Sequence, residues 1–426
     1  MIWLLVLLLV LFLVGMPIVF AVGLVSLLYA KYVAEIPLTI ITQQITSGID
    51  SFILLAIPLF LLTGGIMGES GITRRLVLFS ESLVGWMRGG LAQVNVLTNV
   101  FMAGISGSGL ADAAATGSAL IPLMKQRGYG AGFAAAVTGA AACIGPIIPP
   151  SIIMVVIGGL TSASVGRMFL GGVFPGLILG LAFGICVHIT SKRRNYPKGE
   201  RVSLRILGRS FLSALPALGL PVIIIVGILS GAFTPTEAAA VACVYTILYG
   251  LIGRELKWKD FYRAVVAVGT ATGTIMFIVG VSAVFGWILV SEDIGNRVAE
   301  YLLSITHDPS IMVLLIVVVL LILGCFVEVM ALLILAVPVL MPLVTTLGVD
   351  PVHFGVVVTI ALTTGLITPP FGLSMFLMCS IGDVSIEEFS REIWPFIACI
   401  FLGLLLFIFV PDVVVWLPNT ILGQAK

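Results

Sequence analysis

One stretch of this chain occurs twice, and its content limits what either copy can fold into. Residues 119–154 read ALIPLMKQRGYGAGFAAAVTGAAACIGPIIPPSIIM, and residues 339–374 read VLMPLVTTLGVDPVHFGVVVTIALTTGLITPPFGLS. At a constant offset of 220 they share 10 of 36 positions without a gap. The shared set includes Pro122/Pro342, Gly128/Gly348, Gly145/Gly365, Pro149/Pro369 and Pro150/Pro370. A Gly-x-x-x-Pro-Pro inside an apolar segment must break a helix, because proline brings no N–H and its ring clashes with the preceding turn. Helices broken at matching places in two halves of a membrane protein build midplane binding sites in secondary transporters. The repeat therefore predicts a chain that moves a solute across a membrane.

Composition supports that reading. The chain is 60% hydrophobic and 10% charged, against about 25% charged in a soluble domain, and apolar runs of about 20 residues recur along it. Its 426 residues are thus expected to form one integral bundle, since the loops are too short to fold alone. The first residues, MIWLLVLLLVLFLVGMPIVF, carry no basic region and no small-residue cleavage site and are read as a retained span. Cys143, Cys186, Cys243, Cys325, Cys379 and Cys399 lie in apolar segments with no CxxC, as small buried residues do. A balance of 21 basic and 20 acidic residues gives no reason to expect a nucleic acid. With no Walker A pattern or soluble nucleotide domain, the expected energy source is an ion gradient.

The fold class expected is an all-α polytopic membrane protein with inverted repeats, two re-entrant helical hairpins and two broken helices. Spans are predicted near 2–30, 50–68, 131–165, 168–190, 211–231, 236–252, 264–290, 352–382 and 394–418. Segments 89–124 and 309–344 are interrupted by GISGSGLAD at 104–112 and GCFVE at 324–328. Each fits two half-length arms that return to one side, a geometry tolerated where the backbone is buried in protein or lines a cavity. With both hairpins re-entrant, 17 of the 21 Lys and Arg residues fall on one side, the cytoplasmic one by the positive-inside rule. The N-terminus is then cytoplasmic and the C-terminus periplasmic. Arg88, Lys125 and Arg127 flank the first hairpin and His307, Asp308 and Asp350 the second, so the repeats are inverted. Stretches 31–49, 70–88, 254–263 and 291–303 are amphipathic and read as arms in the lipid interface. The basic linker 192–205 is read as a topology signal rather than a binding patch. The resulting division is 1–88 scaffold, 89–166 first hairpin and broken helix, 167–210 span and linker, 211–308 scaffold, 309–382 second hairpin and broken helix, and 383–426 C-terminal span.

Chemistry is expected at the hairpin tips. Ser106 and Ser108 offer hydroxyl oxygens between glycines, and the break at Gly145, Ile148, Pro149 and Pro150 exposes carbonyls that no helix satisfies. Oxygens of this kind suit a small hard cation. The symmetry mates are Gly324 and Glu328 with Gly365, Thr368 and Pro369. The competing reading of the glycines and serines is close helix packing, and duplication at inverted positions favours function. Asp112 and Glu328 are the acidic residues set deepest in apolar segments, where a charge costs roughly 3 kcal/mol. Either can face a cation, a substrate or a proton, and Asp112 can instead cap its half-helix. Positive half-helix ends after the tips suit an anionic substrate, with Ser108, Asp112, Ser151 and Glu328 as candidate contacts. Gly104-Ile105-Ser106-Gly107 also matches the GxSG of an intramembrane serine protease, but none of His188, His307 and His353 falls at its depth. A channel or scaffolding subunit is a further alternative.

Four segments, GSGLADAAATGSALIP (107–122), GPIIPPS (145–151), GAFTPTEAAAVACVYTI (231–247) and PVHFG…GLITPPFGL (351–373), resemble the large membrane subunit of tripartite ATP-independent periplasmic (TRAP) transporters over essentially the whole chain. The resemblance implies an elevator-type, sodium-driven uptake transporter fed by a periplasmic substrate-binding protein. It also implies a small four-helix membrane subunit, here on a separate chain, and an organic-acid substrate such as sialic acid or a C4-dicarboxylate. It places sodium at Ser106, Ser108, Gly145, Ile148 and Pro149, and at Gly324, Gly365 and Thr368. Glu328 stands where relatives are also expected to carry an aspartate. The alternative in the same class is a self-sufficient sodium- or proton-coupled anion symporter.

Overall fold

The computed structural model describes residues 7–8, 10–11 and 14–423. The beginning of the span expected at 2–30, and Lys426, lie outside these residues. Among the described residues the chain is helical throughout, with one isolated bridge between Arg88 and Lys198. The first half holds α1 (Ile18–Tyr32), α2 (Leu38–Ile49), α3 (Ala56–Glu69), α4 (Ile72–Val84), α5 (Gly90–Ser106), α6 (Gly109–Gln126), α7 (Ala131–Ala142), α8 (Ile152–Thr161) and α9 (Val165–Arg193). The second holds α10 (Leu204–Leu229), α11 (Pro235–Ile252), α12 (Trp258–Ser291), α13 (Ile294–Leu303), α14 (Pro309–Gly324), α15 (Val329–Thr346), α16 (Pro351–Gly365), α17 (Leu373–Gly382), α18 (Ile386–Phe409) and α19 (Asp412–Leu422).

The offset of 220 extends well beyond the stretch in which sequence identity reveals it. Adding 220 to the bounds of α4 gives 292–304, against α13 at Ile294–Leu303. The same step carries α7 to 351–362, α8 to 372–381 and α9 to 385–413, over α16, α17 and α18. Packing obeys the same symmetry: α6 lies against α17 and α15 against α8, while α11 packs on α3 and α1 on α12. Cys143 Sγ approaches the Thr363 carbonyl at 3.3 Å, and these two residues are themselves 220 apart. A contact between symmetry mates can exist only on the axis that relates them, so the pseudo-twofold passes between the ends of α7 and α16.

One difference between the halves is local. In the first, the arm α2 and the following span are bent by 56° at residues 50–51, where Asp50 and Ser51 favour leaving a helix. The mates of that pair are Thr270 and Ala271, and Thr270 instead bonds the Val266 carbonyl inside the helix at 3.0 Å. Here α12 runs unbroken for 34 residues, and the arm expected at 254–263 is largely its first turns, with Trp258 and Tyr262 exposed. The C-terminal span also differs from its expected bounds of 394–418. It begins at Ile386 and ends at Phe409, because Pro411 cannot continue it. α19 is then held by Arg167, whose guanidinium donates to Asn419 Oδ1 and to the Gly423 carbonyl.

The hairpins are α5–α6 and α14–α15. Their arms are 16–18 residues long, roughly 24–27 Å at 1.5 Å per residue. They are thus close to full bilayer length rather than half of it. The broken helices are α7–α8, interrupted at 143–151, and α16–α17, interrupted at 366–372; the peptides Pro149–Pro150 and Pro369–Pro370 are cis. Every residue from Gly132 to Ala142 and from Val352 to Gly365 is buried. Alanine and glycine along α7 permit that close packing. By contrast α10 buries only 28% of its apolar window. The TPTEAAA segment has a plain structural reason. Thr234 accepts from the Glu237 N–H and Glu237 accepts from the Thr234 N–H, a capping box with Pro235 at the first position. Thr236 then donates to the Phe52 carbonyl at 2.8 Å and ties α11 to the start of α3.

Candidate functional site

At the first tip, Gly107 turns the chain between α5 and α6 with φ +62, a conformation that favours glycine. Ser106 Oγ lies just inside α5. It donates to Asp112 Oδ1 at 2.6 Å and accepts from the Ser108 N–H at 3.1 Å. Ser108 caps α6 by accepting from the Ala111 N–H at 3.4 Å. Asp112 is completely buried, and among the described residues its second oxygen, Oδ2, has no hydrogen-bond partner.

The break of the first broken helix sits on this tip. A Cβ on Gly145 would lie 2.6 Å from Asp112 Oδ2, and one on Gly109 would lie 3.0 Å from the Ala142 carbonyl. Gly107 is similarly pressed on the Pro150 carbonyl. Among the described residues, no hydrogen bond reaches the carbonyls of Gly145, Ile148, Pro149 or Pro150. Ser106, Ser108, Asp112 and Gly145 therefore form one cluster of oxygens around a buried carboxylate. The Ile148 side chain faces away from it and packs on Gly176 of α9.

The second tip repeats the backbone and changes the chemistry. Gly324 and Gly365 meet backbone to backbone, so that a Cβ on Gly365 would collide with the Gly324 carbonyl. Thr368 is half-buried and donates its hydroxyl to the Thr364 carbonyl at 2.7 Å, with Pro369 beside it. The mate of Asp112 is Leu332, buried in α15, so no carboxylate is enclosed here. Glu328 is exposed and caps α15 by accepting from the Ala331 N–H at 3.0 Å. It matches Ser108 at the offset of 220. The capping role considered for Asp112 thus falls to Ser108 and Glu328.

Two further candidate substrate contacts are placed as follows. Ser151 is fully buried; its hydroxyl donates to the Pro146 carbonyl and accepts from the Met154 N–H, capping α8. That hydroxyl is consumed locally. Asp112, turned into the protein, faces the break and not an open volume. A polar ladder went unread in the sequence. Thr116 Oγ1 donates to the Asp112 carbonyl at 2.7 Å and reaches Asn99 Oδ1 at 3.3 Å; Asn99 Nδ2 donates to Asn95 Oδ1 at 2.9 Å, and Asn95 Nδ2 to Thr138 Oγ1 at 2.6 Å. All of these are buried. The signal was available, since Asn95 and Asn99 stand four apart, on one helix face, inside an apolar segment. At the second tip the buried Ser374 hydroxyl, in the first turn of α17, has no partner among the described residues.

Comparison with known proteins fits this architecture. The pattern describing "Tripartite ATP-independent periplasmic transporter, DctM component" matches residues 5–413. The chain belongs to this family. It is 37% identical over 413 residues to the sialic acid TRAP transporter large permease protein SiaM of Vibrio cholerae, covering 97% of each. It is 35% identical to the C4-dicarboxylate TRAP transporter large permease protein DctM of the same species, covering 96% of this chain and 95% of that one. It is also 38% identical to the isethionate TRAP transporter permease protein DctMQ of Oleidesulfovibrio alaskensis, of which it spans 63%. The fold is shared with the Alcanivorax borkumensis YdaH transporter, at a TM-score of 0.62 and 14% identity over 87% of this chain and 88% of that one.

As a DctM component the chain is a multi-pass membrane permease and not an enzyme. At the GxSG of 104–107, Ser106 donates its hydroxyl to Asp112.

Proposed function

We propose that this permease takes up a small organic anion in symport with sodium, by an elevator movement of the two hairpins and two broken helices against the remaining spans. The chain works in the bacterial inner membrane, N-terminus inside and C-terminus outside. A small four-helix subunit on a separate chain braces it, and a periplasmic binding protein delivers the solute. Its relatives are named for sialic acid, C4-dicarboxylates, isethionate and 2,3-diketo-L-gulonate. These share an anionic carboxylate or sulfonate, which suits the positive ends of α6, α8, α15 and α17.

One observation carries the sodium reading: Asp112 is buried with Oδ2 unpartnered beside the Gly145 break. A buried carboxylate without a partner costs several kcal/mol unless it is protonated or matched by a cation. A sodium ion here would meet Asp112, Ser106 and the free carbonyls of the break together. It would cancel the charge and hold tip and break in one arrangement. A second ion is proposed at Gly324, Gly365, Thr368 and Pro369, where neutral oxygens alone are offered, with Glu328 at its rim. Solute and sodium then strengthen each other's binding by the same factor, as linkage requires.

The test is solute uptake against sodium concentration, in proteoliposomes holding the chain with its small subunit and binding protein. Saturable sodium dependence is expected, with little uptake when either partner is omitted. Uptake that follows a proton gradient and ignores sodium would make Asp112 a proton carrier instead. Robust uptake of free solute by the chain alone would point to a self-sufficient symporter.

A further inference from the structure

The end of α9 and the start of α18 enclose a basic cavity that the transport reading does not use. Its volume is about 160 Å³, and its wall includes Phe133, Arg193, Arg194, Arg391, Glu392 and Phe396. Arg194 is committed: it forms a two-pronged pair with Glu392 at 2.9 Å and lies over the Phe133 ring at 5.7 Å. Arg193 and Arg391 are exposed and make no ion pair or hydrogen bond among the described residues. Three arginines against one glutamate leave two positive charges on a concave surface. They come from points about 200 residues apart in the chain, so the fold and not a basic run assembles them.

The cavity's position states what kind of anion reaches it. α9 and α18 are both long and apolar enough to span a membrane, and Arg193 and Arg391 stand at the membrane–water end of that pair. Below them the same two helices turn Ile185, Ile189, Trp394, Phe401 and Leu402 outward, each more than 40% exposed. An anion over this groove therefore has acyl-chain surface beneath it, and a tryptophan at headgroup level. Basic pockets between spans bind phosphate-bearing headgroups by this combination, with arginine suited to a two-pronged grip on phosphate.

We propose that the cavity binds the phosphate of an anionic phospholipid such as phosphatidylglycerol, with its chains along the α9–α18 groove. The lipid would bridge the first turn of α7, through Phe133, to both spans. This site is separate from the hairpin tips.

The experiment uses the full chain, purified and delipidated, then incorporated into nanodiscs of phosphatidylcholine with or without phosphatidylglycerol. Lipid retained on the protein is read by native mass spectrometry, and thermal unfolding is read in parallel. Phosphatidylglycerol should be retained at least about tenfold over phosphatidylcholine and should raise the unfolding midpoint. Arg193→Gln with Arg391→Gln should remove the preference, Arg193→Lys with Arg391→Lys should keep part of it, and Lys257→Gln with Lys259→Gln should leave it intact. An unaltered preference in the Arg193→Gln/Arg391→Gln protein overturns the proposal. So does an equal stabilisation by inorganic phosphate in detergent without lipid, which would assign the cavity to a soluble anion. Should the glutamine pair fail to fold, loss of the preference when free phosphatidylglycerol headgroup, glycerophosphoglycerol, competes for the wild-type protein supports the lipid site, and no competition overturns it.

Discussion

Removing the charge of Asp112 while keeping its shape separates the two things this side chain does, which are to accept from Ser106 and to present a bare oxygen to the Gly145 break. Asp112→Asn should fold, with an unfolding midpoint in sodium-free buffer equal to or above that of the parent, because a buried charge is gone. Its sodium-induced stabilisation should vanish, and half-maximal uptake should need about 10–100-fold more sodium, the worth of one charge-assisted contact. Ser106→Ala should move the same curve in the same direction by a smaller factor. An Asp112→Asn protein with unchanged sodium dependence would remove Asp112 from the ion site. Gly145→Ala tests the approach itself: its methyl would stand 2.6 Å from Asp112 Oδ2, so transport should fall to background while the protein still inserts and purifies. These residue types could be seen in the sequence, as glycines and an acid in an apolar segment. Which way Asp112 points could not be seen, because a helix residue near a tip can face the cavity or the neighbouring break with the same spacing.

Each hairpin's second arm begins on a side-chain cap, Ser108 for α6 and Glu328 for α15. Glu328 thus has two readings that a substitution can divide. Glu328→Ser keeps a capping oxygen and drops the charge, so uptake within about twofold of the parent is expected if the cap is what α15 needs. Glu328→Ala, without a cap, should lower the unfolding midpoint by the equivalent of about 1 kcal/mol. Uptake lost equally in both variants would mean that the carboxylate acts on ion or solute. Thr234→Ala, which breaks the capping box of α11, should cost about the same in stability and leave the sodium dependence alone. Existence and type of the elements were legible because proline and glycine punctuate so strongly at 145–150 and 365–370. Bounds were less so. The merging of arm and span into α12, unbroken at Thr270 and Ala271 where the first half bends at residues 50–51, is not revealed by composition.

The inverted arrangement makes a prediction about the whole molecule. On a background without its native cysteines, Arg127→Cys and Lys192→Cys should react only from the cytoplasm, and His307→Cys and Thr346→Cys only from the periplasm. These exposed positions avoid Asp308 and Asp350, which cap α14 and α16. Reaction of Arg127→Cys from the periplasm would dismantle the proposed orientation. The symmetry has a structural consequence at its axis, where Cys143 meets Thr363. The two breaks flank that contact within two residues on each side, at Gly145 and Gly365, so a rearrangement of one is felt directly by the other.

Sequence alone determined that this chain lives in a membrane, that it is built twice, and that each half carries one broken helix. Hydropathy and proline chemistry act locally, and they read the same in any surroundings. The cluster of Ser106, Asp112 and Gly145, the burial of Ser151, the buried ladder from Thr116 to Thr138, and the meeting of Arg193 with Arg391 all required the packed molecule. Each depends on side chains brought together from distant segments or turned to one face by their neighbours. The inequality of the two tips has the same origin. Whether position 112 or its mate 332 encloses a charge is written in single residues, but what that charge faces is set by the helix break that packs against it.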